Sequence, residues 1–95
     1  MTPQEKSIHD ARQAVYGDFR SNMRATSKQI DGLLDNWQSN NPGEPLPEWF
    51  APLSMVAVKM NRIASGNYIP DNFTDIRNYL HIVEVAQREA SGGEQ

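Results

Sequence analysis

The run from Leu53 to Tyr79, LSMVAVKMNRIASGNYIPDNFTDIRNY, most constrains what this chain can fold into. Leu53, Val56, Met60 and Ile63 recur at intervals of three and four, the spacing that puts side chains on one face of a helix. Met55 and Val58 widen the stripe, so this helix is expected at the centre of the molecule, covered on more than one side. Gly66 and Asn67 break the pattern, and Ile69-Pro70-Asp71 restarts it. Phe73, Ile76, Leu80 and Val83 then form a second stripe, with Tyr79, Ile82 and Ala86 alongside. Asp71 is placed to cap this second helix, with Ile69 and Phe73 as a hydrophobic staple around the cap. Two helices folded back on each other across a short turn are the expected result.

The first half of the chain reads as a second hairpin. Thr2-Pro3-Gln4-Glu5 opens a helix with a capping box and with proline at its first position. Ile8, Ala11 and Val15 give it a narrow stripe, and Gly17 closes it, so it spans about Pro3 to Tyr16. Asp18 is the expected N-cap of a longer helix of about five turns. Phe19, Met23, Ile30, Leu33, Leu34 and Trp37 carry its apolar rhythm, with Thr26 and Ser27 filling the missing turn. Arg20, Arg24 and Lys28 make a basic ridge four residues apart, read as a solvated face or as a surface for an anion. Asp31 and Asp35 fall where the helix dipole favours cations, and the pattern itself gives no reason for them.

Residues 38–47, QSNNPGEPLP, contain three of the six prolines and separate the two halves as a loop. Residues 91–95 read as a flexible tail. No stretch alternates like a strand. The fold expected is all-α: a single domain over 1–95, a small helical bundle of about four helices in two hairpins. Apolar residues on the second and third helices exceed what one small core uses, so a homo-oligomer associating through helices is expected.

Composition removes several function classes. With no cysteine among 95 residues, disulfides, thiol catalysis and thiolate-bound zinc are all ruled out. A net charge of −3 makes DNA or RNA binding an unfavourable reading. The charged opening MTPQEKSIHDARQ lacks the apolar core of a signal peptide, and no apolar run is long enough to span a bilayer. A cytoplasmic protein without a membrane partner is expected. His9 and His81 are the only histidines, and neither stands near a nucleophile elbow. No glycine-rich phosphate loop is present.

Two constellations remain. Lys59 and Arg62 precede Asp71 and Asp75 across the turn, and Tyr79 lies one helical turn beyond Asp75. This is either a salt-bridged clasp, Asp75 pairing with Lys59 or Arg62, or a site for phosphate or a metal. The second is Tyr16-Gly17-Asp18-Phe19 with Asn22, a turn into a helix N-terminus flanked by Arg12 and Arg20. Asp18 there opposes an anion unless a metal intervenes.

These same residues resemble a family of small phage proteins: Asp10-x-Arg12, Tyr16-Gly17-Asp18 with Asn22, MVAVKMNRIASG, and Asp71-x-x-x-Asp75-Ile76-x-x-Tyr79. That family is in turn similar to the all-α MazG-type nucleoside triphosphate pyrophosphohydrolases, helical bundles that dimerise and hold Mg²⁺ on EExxE and ExxD helices. Asn72-x-x-Asp75 resembles the ExxD segment with asparagine in place of glutamate. The preceding helix, with Lys59 and Arg62, has no EExxE, and a multi-Mg²⁺ site needs more carboxylate than remains. The resemblance therefore implies a phage accessory protein, in a bacterial host cytoplasm, that binds a nucleotide or cyclic nucleotide signal without catalysis or cofactor. In a counter-defence role it would sequester that signal. Its ligand residues would be Arg12, Tyr16, Lys59, Arg62, Asp75 and Tyr79. The alternatives are a Mg²⁺-dependent pyrophosphohydrolase with Asp18, Asp71 and Asp75 as ligands, and an inhibitor of a host enzyme. The inhibitor would make contact through Trp49-Phe50 or the Arg20-Arg24-Lys28 ridge.

Overall fold

The computed structural model describes residues 2–7 and 18–92. A first helix, α1, is seen over residues 3–7. Its start is the reciprocal capping box: Glu5 N donates to Thr2 Oγ1 at 3.1 Å while Thr2 N donates to Glu5 Oε2 at 3.2 Å. The rest of the stripe assigned to this helix, Ile8 to Val15, lies outside the described residues.

Three long helices follow: α2, Phe19–Asn40; α3, Phe50–Ala64; and α4, Pro70–Ala90. No strand occurs among the described residues. Asp18 caps α2 as expected, accepting from Ser21 N at 3.2 Å. The helix runs three residues past Trp37, so Asp31 and Asp35 lie inside it and not at its end. The loop is correspondingly shorter than 38–47 at its start. Asn41 stops α2 by donating both its backbone N–H and its Nδ2 to the Trp37 carbonyl. Pro42 and Gly43 then occupy the centre of a turn closed by Glu44 N to the Asn41 carbonyl. The positive φ of 79° at Gly43 is what such a turn demands of its third residue.

α3 lies between the other two and packs against both, most extensively against α4. Side-chain contacts set the directions. Asn22 near the start of α2 meets Ser65 just beyond α3, and Trp37 near the end of α2 meets Trp49 just before α3. Hence α2 and α3 are antiparallel, and so are α3 and α4. The second of the two expected hairpins is thus α3–α4, and the first lacks a described partner for α2 other than α3.

The turn between α3 and α4 corrects the expected capping. Asp71 is not the cap: Ile69 holds the N-cap position with no side-chain hydrogen bond, Pro70 opens the helix, and Asp71 sits in its first turn. There its carboxylate still favours the positive end of the helix dipole. The staple is also shifted by one residue, because Tyr68 precedes the cap. Tyr68 and Phe73 rings stand 6.0 Å apart, the N′-to-N4 contact.

Few side chains are buried. Phe50, Val56, Ala57 and Val83 form the apolar core of the described residues. Met23, Leu46, Met60, Tyr68, Leu80 and Ile82 remain largely exposed. The radius of gyration is 16.4 Å, against about 12 Å for a compact domain of this length. The α2–α3 seam is largely polar: Asn61 Nδ2 donates to Gln29 Oε1 at 2.8 Å and to the Ala57 carbonyl at 2.9 Å, and Ser65 Oγ donates to Asn22 Oδ1 at 2.9 Å. Apolar burial holds α4, whereas hydrogen bonds fix the register of α2.

Candidate functional site

The Lys59–Asp75 pair joins the centre of α3 to the first turns of α4. Lys59 Nζ lies 2.8 Å from Asp75 Oδ2, with the lysine side chain 11% exposed and the aspartate 38%. Lys59 reaches α4 from the middle of an apolar helix, so its methylene stem is covered while its ammonium meets a single carboxylate. The pair is electrically balanced, and a phosphate at Lys59 would have to displace Asp75. Arg62, one turn further along α3, is half-buried and already engaged within the protein. Tyr79 is half-buried one turn beyond Asp75. Arg12 and Tyr16 lie outside the described residues.

The carboxylates assigned to a metal are employed separately. Asp18 caps α2, Asp71 occupies the first turn of α4, and Asp75 faces Lys59. Among the described residues no three His, Asp or Glu side chains come together as ligands. Asn72, which stands where the resembled metal helix has glutamate, is 1% exposed, and its Nδ2 has no hydrogen-bond partner. Its burial between helices was not legible, because asparagine within a helix start reads as a surface or capping residue.

At the other end of the α3–α4 pair is a groove that sequence reasoning missed. Its floor and walls are Trp37 from α2, Pro47 and Trp49 from the connection, and Leu80 and Val83 from α4; Glu84, Gln87, Arg88 and Ser91 bring polar atoms to it. The space measures about 930 Å³. Trp37 and Trp49 pack edge to face, ring centroids 5.5 Å apart at 85°. Trp49 also lies 6.4 Å from the buried Phe50, which anchors it. The Trp49-Phe50 pair therefore faces the fold rather than projecting from a loop. Trp37 Nε1 is buried and has no hydrogen-bond partner. An unpaired buried donor costs about 1–3 kcal/mol. Arg88 Nη2 holds Glu84 Oε1 at 2.7 Å, an exposed pair along one face of α4. The available signal was the placement of the two tryptophans, one on each side of the proline loop, which a hairpin necessarily brings together.

No helix among the described residues is long and apolar enough to cross a membrane. Comparison of the chain with protein-family models, with curated proteins and with solved structures finds no match.

Proposed function

We propose that the protein acts by binding rather than by catalysis, and that its ligand is a nucleotide or nucleotide-derived signal seated in the tryptophan groove. The observation that carries this reading is the open aromatic groove lined by both Trp37 and Trp49, with Arg88 at its rim. A nucleobase is flat and stacks on tryptophan. Arg88 at the rim supplies a guanidinium for phosphate once Glu84 yields to the stronger anion. Sequestration of such a signal agrees with the accessory role implied by the phage-family resemblance. This places the ligand away from Lys59, whose carboxylate partner already satisfies it. The Mg²⁺-dependent pyrophosphohydrolase reading draws less support, since Asp18 caps α2 and Asp75 faces Lys59, in separate places.

A thermal-shift and calorimetric screen against nucleoside phosphates and cyclic dinucleotides, with and without Mg²⁺, tests the proposal. Saturable binding without turnover is expected, raising the melting temperature as any native-state ligand does. Trp37→Phe replaces the indole wall of the groove by a smaller ring, and should weaken binding about tenfold. Binding unaffected by Trp37→Phe would move the site elsewhere. Pyrophosphate release that disappears in Asp75→Ala would establish the enzyme instead.

A further inference from the structure

The exposed side of α2 carries two parallel stripes whose order has no use among the described residues. Met23, Ile30 and Leu34 form an apolar edge, with Met23 54% exposed. Beside it run Arg20, Arg24, Asp31 and Asp35, all exposed, basic in the first half of the helix and acidic in the second. None of these four forms an ion pair among the described residues. Residues 20, 24, 31 and 35 are spaced four, seven and four apart, so they share one face. That series is symmetric about its midpoint, and its charge changes sign there.

We infer that α2 pairs antiparallel with α2 of a second copy of this chain, about a two-fold axis passing between Ser27 and Lys28. In that register Arg24 faces Asp31 and Arg20 faces Asp35, each contact occurring twice by symmetry. The apolar edges coincide on the other side of the seam, where Met23 and Ile30 come within one helical turn of each other across the axis. The same flank of each helix meets its counterpart only in the antiparallel arrangement, as in antiparallel coiled coils. A parallel pairing sets the charged flank of each helix against the opposite flank of its partner, where none of these four charges finds its complement. Ser27 lies midway between the stripes and is exposed, so the helices approach closely where they cross. Lys28 lies at the outer margin of the charged stripe, away from the apolar edge, which keeps the two copies of this lysine apart near the axis. The arrangement gives Asp31 and Asp35 a partner, and it covers apolar surface that the four-residue core of the described residues leaves in water.

The natural chain has no cysteine, so single cysteines report the geometry cleanly. Oxidised Ser27→Cys should give a disulfide-linked dimer. Asp31→Cys should not: three to four residues from the axis puts its two copies about 10 Å apart along the helices, beyond the roughly 7 Å a disulfide spans. In sedimentation equilibrium the natural chain should be a dimer, and Arg24→Asp or Asp31→Arg alone should weaken it about tenfold. The Arg24→Asp/Asp31→Arg double variant should restore it. A monomer throughout, equal cross-linking at both positions, or a double variant as weak as the singles overturns the pairing. Circular dichroism of each variant separates loss of the dimer from loss of the fold. Nucleotide binding in the tryptophan groove is measured separately and stands or falls independently.

Discussion

Asp75 and Lys59 differ in what each leaves behind when removed. Asp75→Ala strands an ammonium that is 11% exposed, whereas Lys59→Met leaves a carboxylate already reaching water and keeps the packing of the stem. Denaturant unfolding should therefore show Asp75→Ala costing about 2 kcal/mol and Lys59→Met under about 1 kcal/mol. Asn72 offers a second single-residue test. Asn72→Asp buries a carboxylate one turn from Asp75, and at neutral pH it should destabilise by about 3 kcal/mol or more. Burial and a like charge both raise the folded-state pKa of that new carboxyl above its unfolded value. The unfolded chain then ionises more readily, so the penalty is present at neutral pH and fades as the pH falls through the raised pKa. Midpoints of the natural chain and the variant should converge on acidification. At this scale the clasp was legible in advance, because residues four apart on facing helices define their partners. Asn61, Gln29 and Asn72 were not, since their burial depends on which faces meet.

Helix ends show how far local chemistry reaches. The Thr2–Glu5 box, the Asp18 cap and the Pro42-Gly43 turn all follow from residues three or four apart, and all are present. The start of α4 was read one residue out, because Pro70 fixes the first helical position and leaves Ile69 as cap and Tyr68 as staple. Gly66, which closes α3, has φ of 102°, and a Cβ there would meet nothing within 4 Å. The cost of Gly66→Ala is thus conformational alone, about 1 kcal/mol in the unfolding free energy, with helix content unchanged. Tyr68→Ala should cost about 0.5–1 kcal/mol through the lost ring contact with Phe73, and should leave Lys59–Asp75 intact.

Among the described residues the long helices are three, antiparallel in sequence with α3 between its neighbours, extended rather than compact, and with little apolar surface buried. The all-α class and the central position of α3 were legible because a 3.6-residue period and an unusually apolar helix announce both. The groove was not, since it joins the last turn of α2 to the second half of α4, and only the complete hairpin sets them side by side. Its two tryptophans are the only two in the chain, so intrinsic fluorescence reports on the groove alone. Titration of nucleotides and cyclic dinucleotides while following tryptophan emission is the most direct measurement. Saturable quenching is predicted, with Trp49 still reporting in Trp37→Phe but at about tenfold higher ligand concentration. Binding detected by calorimetry with unchanged emission, or no binding to any phosphate-bearing nucleotide, would contradict the account.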